Sequence, residues 1–181
     1  MADGSTTRRD DTWEAAQRLL ACCHEQLVAH SPAGDVAEAY VTHGAQVAWD
    51  HCECGQLTVH IGTSYPVDQF PAIKTAGPFR GCSSKFQVVE FVITVLRCVP
   101  TSEDDGDPPT GAQLSDAAYV EHVDRWCLQR GVRCCFPPTD PRKLDLMLVG
   151  EHLPVGGEGM CSGSELHVLV ALPNCLPCEA S

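Results

Sequence analysis

Three features of the sequence predict an α+β fold, a mainly antiparallel sheet with two main helices packed on one face. One apolar stretch reads as a central strand, two amphipathic stretches read as helices, and several shorter stretches alternate with the period of a half-buried strand. The central stretch is Phe86 to Pro100, FQVVEFVITVLRCVP. Between Val88 and Pro100 only Glu90, Thr94 and Arg97 are polar, so both alternate sets of side chains are largely hydrophobic. Such a strand must be covered on both faces. Its β-branched residues and closing Val-Pro favour strand over helix. Two helices would cover one face through Trp13, Leu20, Val123 and Trp126. A neighbouring copy or the long connection from 65 to 84 would cover the other.

The elements follow in order. Residues 1–10 are polar and expected to be flexible, residues 11–172 form a single α+β domain, and residues 173–181 form a cysteine-containing tail. Asp11 with Glu14 resembles a capping box, and Trp13, Ala16, Leu20, Cys23 and Leu27 repeat at helical spacing, predicting a helix that ends near His30. Val36, Ala39, Tyr40 and Val41 suggest a short helix. Leu57, Val59 and Ile61 alternate with Thr58, His60 and Gly62, predicting a half-buried strand, and residues 65–84 read as an irregular connection. Thr110 can cap a second helix with a stripe of Tyr119, Val120, Val123, Trp126 and Cys127, ended by Gly131. Leu144, Leu146 and Leu148 begin a strand that reaches Pro154. The glycines from Gly156 to Gly159 read as a loop, and Leu166, Val168, Val170 and Leu172 as the last strand.

Composition narrows the function classes. A formal charge of −12 argues against ordinary nucleic-acid or anionic-membrane binding, which needs exposed cations. There is no run of 18 apolar residues and no signal-peptide pattern at MADGSTTRRDDTW, so the expectation is a soluble protein made in a cytosol. Twelve cysteines are unexpected there, because a reducing compartment does not sustain structural disulfides.

The cysteines are the conspicuous chemistry. Cys175 and Cys178 have the spacing of a zinc knuckle, and Cys52 and Cys54 beside His51 could complete a tetrahedral site. Disulfides in a particle that ends up outside the cell, or buried free thiols, explain the same residues. No cofactor is expected, zinc being the single metal these pairs suit. Each vicinal pair, Cys22-Cys23 and Cys134-Cys135, reads as one buried and one exposed position. His60 and His167 fall on the off-core face of strands and read as solvated. No phosphate loop, dinucleotide fingerprint, zinc-protease motif or local Ser-His-Asp signature occurs, so no catalytic residue is assigned.

An ordered set of stretches carries a resemblance. Ala48-Trp49-Asp50 is followed by the first cysteine pair and Gly55-Gln56-Leu57-x-Val59. Next come Leu96-Arg97-Cys98-x-Pro100 and Pro108-Pro109 before a helix. Last is Leu153-Pro154-Val155-Gly156, leading through Gly159-x-Cys161-x-Gly163 to Ser164-Glu165-Leu166-x-Val168. Together, over about residues 12 to 172, they resemble small structural proteins from the virion gene clusters of tailed phages of actinobacteria, and are similar to the tail terminators of siphophages.

The resemblance implies a hexameric ring that caps the tail tube, contacts the major tail tube protein, and joins it to a head-to-tail stopper or connector. DNA would pass through its channel without specific binding, and the acidic excess would suit the channel wall. In such a ring the acidic loop with Glu103, Asp104, Asp105 and Asp107, and the glycine-rich loop with Gly156, Gly157 and Glu158, are expected to reach neighbours or the tube. The alternatives are a stopper or connector adaptor of the same neck and, in another class, a zinc-binding cytosolic protein.

Overall fold

The computed structural model describes residues 11–43, 55–72, 86–102, 106–135, 146–158 and 161–173. The elements are α1 (Asp11–His30), β1 (Glu38–Thr42), β2 (Gln56–Val67), β3 (Phe86–Cys98), α2 (Gly111–Cys135), β4 (Met147–Glu158) and β5 (Cys161–Pro173). The strands form one sheet in the order β1-β2-β3-β5-β4. β1 is parallel to β2, and every other pairing is antiparallel. This is an α+β fold with a mixed five-stranded sheet and both helices against it.

The apolar stretch is the central strand. One face of β3, with Val89, Phe91, Ile93 and Val95, joins Leu57 and Val59 of β2 and Leu166, Val168 and Val170 of β5. Ala16, Leu19, Cys23 and Leu27 of α1 and Cys127, Leu128 and Val132 of α2 close over that face. Each fully buried Leu, Ile, Val or Phe contributes roughly 1.5–3 kcal/mol. On the opposite face Val88, Val92, Thr94 and Leu96 are buried as well, at 4 % exposure or less. These four side chains are covered within one chain, while on the same face Phe86 and Glu90 are part-exposed and Cys98 is exposed.

The helices meet through small residues. A Cβ on Gly131 would stand 2.8 Å from Cys23 Cα and 3.0 Å from the Cys22 carbonyl oxygen, so the two backbones nearly touch there. Gly131 therefore serves as the crossing point, and α2 runs past it to Cys135 instead of ending. So close an approach leaves no room for large rings between the helices. The expected anchors Trp13, Tyr119 and Trp126 are 45 %, 61 % and 45 % exposed. Trp126 lies on the surface between the edge-on ring of His30, 5.4 Å away, and the Arg130 guanidinium, 5.2 Å away. A disulfide joins Cys22 to Cys135 with their Cα atoms 5.6 Å apart. At the start of α2, Thr110 and Gln113 form a reciprocal cap: the Gln113 backbone N–H donates to Thr110 Oγ1 at 3.3 Å, and the Thr110 N–H donates to Gln113 Oε1 at 2.8 Å.

Other boundaries also differ from expectation. Residues 38–42, within the stretch expected to be a short helix, are β1, because β2 offers a parallel ladder from Glu38↔Gln56 to Thr42↔His60. β2 runs on to Val67, into the stretch read as irregular, across a register shift between Ile61 and Ser64. β4 continues through the glycines to Glu158, two residues before β5, so there is no long loop from Gly156 to Gly163. Within it Met147 and Val149 pack on the core, while Leu148, with Leu146 just before the strand, faces outward.

Candidate functional site

β4 ends the sheet. It pairs with β5 on one side, and among the described residues no strand pairs with its other side. Twelve residues make it long for an edge strand, since strands usually have about 5 or 6. Leu146, Leu148 and Leu153, near that edge, are 39 %, 43 % and 42 % exposed. A long edge with unpaired backbone groups and projecting leucines is suited to receive a strand from another chain. The opposite edge, β1, is only five residues long.

A buried ion pair and a cavity lie at the other end of β3. Arg97 Nε donates to Asp124 Oδ2 at 2.8 Å. The remaining guanidinium nitrogens reach the turn after α1: Nη1 donates to the Asp35 carbonyl at 2.9 Å, and Nη2 to the Gly34 carbonyl at 2.9 Å and to Ser31 Oγ at 3.3 Å. One side chain therefore ties β3, α2 and the α1–β1 connection together. Asp124 is fully buried, yet its Oδ1 has no hydrogen-bond partner. Leaving a buried charged acceptor unpaired costs at least about 1–3 kcal/mol. Beside it is a cavity of about 330 Å³ whose lining includes Asp35, Val95, Ala117, Val120 and Glu121. Asp35 sits at its rim, where a 2.6 Å hydrogen bond with His24 and one from the Val36 N–H hold its carboxyl below the usual range.

The face of the sheet away from the helices carries polar groups. His167 Nδ1 lies 2.9 Å from Glu90 Oε1, and Thr63 Oγ1 donates to Glu90 Oε2 at 2.9 Å. The bond with His167 is the main cause that holds the Glu90 carboxyl below its ordinary value. His60 is buried, not solvated as expected, with Nδ1 unpartnered, and burial lowers its pKa. Thr58 and Thr94 pair across β2 and β3, and their hydroxyls also lack partners. Among the described residues no group of three or more His, Cys, Asp or Glu could hold a metal ion.

His152 and Ser164 form the arrangement nearest to a nucleophile and base. His152 Nε2 is 3.0 Å from the buried Ser164 Oγ. The partner of Nδ1 is the amide of Gln129, at 3.4 Å, where a serine hydrolase would place a carboxylate. Burial, with Arg125 adding to it, pushes the imidazole down to about 4, so it is a weak base. Arg125 also donates to the His152 carbonyl at 2.9 Å. The group acts as a polar link between β4, β5 and α2.

Two cysteines in the helix interface are protected thiols. Burial, reinforced by Cys127, pushes Cys23 up to about 12, and burial followed by Asp124 pushes Cys127 up to about 11. Cys135 is buried and Cys134 exposed, while Cys23 is buried beside a partly covered Cys22, much as expected of the vicinal pairs. Cys161 is disulfide-bonded. The paired cysteines Cys52, Cys54, Cys175 and Cys178, and the acidic residues Glu103, Asp104 and Asp105, lie outside the described residues. Asp107 is exposed before α2, and Gly156, also exposed, stands near the end of β4 with Gly157 and Glu158 after it. The two groups occupy different elements, and no hydrogen bond or ion pair joins Asp107 to Gly156.

Sequence reasoning missed Arg97 and Asp124, although a signal existed. A lone cation in an otherwise apolar strand must find a carboxylate on whatever element covers it.

No protein-family model matches the chain, and no curated protein matches its sequence. Among the described residues no helix is long and apolar enough to cross a membrane.

Proposed function

We propose that this chain is a structural subunit of a phage neck. Copies close into a hexameric ring that terminates the tail tube, binds the major tail tube protein, and joins it to a head-side stopper or connector while DNA passes through the channel. The observation that carries the reading is the β4 edge: twelve residues on whose outer side, among the described residues, no strand pairs, with exposed Leu148 and Leu153 and with Leu146 just before it, on a sheet whose central strand is already mostly buried within one chain. Each copy could extend its neighbour's sheet or pack leucines against it, and a closed ring leaves no such edge unused. The Cys22–Cys135 disulfide supports a working life in an oxidising medium, as in a released particle. Two helices on a mixed sheet favour the terminator over a β-barrel stopper or a mostly helical adaptor.

Native mass spectrometry of the purified protein, alone and with tail tubes, tests this. Six copies per assembly are expected. A chain that stays monomeric in the presence of tube, or that is absent from the neck when virions are imaged, would exclude it.

A further inference from the structure

We propose that Cys98 is the attacking thiol of a disulfide-exchange site, displacing the sulfur now bonded to Cys161 and tying the end of β3 to the start of β5. The two cysteines face each other on the last rung of the β3–β5 ladder, Cys98↔Cys161. Residues directly opposite in an antiparallel pair project from the same face, with Cβ atoms about 4.5–5.5 Å apart. A disulfide needs about 3.5–4.5 Å, so a small adjustment at the end of the ladder brings the two sulfurs together.

The two residues differ in oxidation state. Cys161 is disulfide-bonded, to none of the described cysteines, whereas Cys98 is an exposed thiol. Cys161 is 3 % exposed, so a thiol arriving from solvent reaches its sulfur poorly, while Cys98 stands beside it. Cys134 is the other exposed thiol among the described residues, and it lacks this placement: it adjoins Cys135 on α2, and adjacent residues on a helix do not face each other. In the exchange Cys98 gives its proton to water, and its thiolate attacks Cys161 Sγ. The Cys98–Cys161 bond forms as the existing S–S bond breaks, and the electron pair leaves on the displaced sulfur, which takes up a proton. One disulfide and one thiol remain, so no oxidant or reductant is consumed. The inference does not rest on the ring reading, because both residues belong to one chain.

The test is disulfide mapping of the full chain, purified without reductant, held at about pH 8.5 under argon and sampled over a day. Samples are blocked with N-ethylmaleimide, digested with pepsin in acid, and read unreduced by mass spectrometry. A peptide pair linked through Cys98 and Cys161 is expected to accumulate, with the total thiol count unchanged and at a rate independent of protein concentration. Because the thiolate attacks, accumulation should be at least tenfold slower at about pH 6.5. Cys98→Ser, a change at an exposed position, should leave Cys161 with its original partner throughout. Absence of the pair after a day, Cys98 linked equally to several other cysteines, or a Cys161 disulfide that shifts as fast in Cys98→Ser, overturns the proposal.

Discussion

Arg97 Nε and Asp124 Oδ2, 27 residues apart in the chain, meet at 2.8 Å and join the end of the central strand to the middle of α2. Arg97 is 9 % exposed and Asp124 is fully buried, so neither charge can fall back on bulk water if the other is removed. Replacing Arg97 by Leu is expected to destabilise the fold by about 3–5 kcal/mol, mostly because a buried carboxylate is left alone. The double variant Arg97→Met with Asp124→Leu should lose less than either single change. Denaturant midpoints at unchanged slope measure both, and a double variant worse than both singles would contradict the account.

The Cys22–Cys135 disulfide closes a loop over a sequence separation of 113 residues. In the chain-entropy view such a crosslink contributes about 4–5 kcal/mol, and measured values usually fall lower, at about 2–4 kcal/mol. Cys22→Ala with Cys135→Ala should lower stability by that smaller amount. A thiol count in denaturant without reductant should fall below the twelve cysteines of the sequence. A count of twelve would refute the crosslink.

Gly131→Ala reverses a common rule. In most helix interiors this change gains roughly 0.5–1 kcal/mol. Here the new methyl group meets the Cys23 backbone at 2.8 Å, and a loss of about 1–3 kcal/mol is expected. Thermal unfolding decides the sign.

His152 gives a pH dependence. Its folded pKa is pushed down to about 4, below the ordinary 6.5, so the unfolded chain binds a proton more readily. The stability it contributes is complete above pH 6.5 and is lost as pH falls from there through 4. Solvent screening of this part-buried group keeps the loss on the order of 1 kcal/mol. His152→Gln should flatten the stability profile between pH 6.5 and 4. An unchanged slope would assign that dependence to other groups.

Leu148→Lys with Leu153→Lys adds two charges to the free edge of β4. Both positions are exposed, so fold stability should change by no more than about 0.5 kcal/mol. Assembly should be lost, as read by native mass spectrometry. Retained assembly would remove the β4 edge from the interface.

The central strand and the first helix were legible because their periodicity is set by burial itself. Val88 to Leu96 is largely apolar on both faces, and apart from Glu90 it is buried on both. The helix-to-helix contact was not legible. Hydrophobicity ranks Trp13 and Trp126 above Gly131 and Cys23, but the distance between two backbones, which a single sequence does not state, decides which group fits. The facing of β4 was not legible for a similar reason. Leucines normally mark a core face, and here Leu146 and Leu148 point away from it while Met147 and Val149 fill it. The ion pair was half legible: Arg97 signalled a need, and only the fold identified Asp124 as its answer.

The crosslink between the helices also bears on how the chain survives cutting. A protease that cleaves any peptide bond between residues 22 and 135 opens a ring and releases no fragment, because Cys22 and Cys135 still hold the two pieces together. A nicked molecule would keep its full mass until reductant is added, and then separate into two.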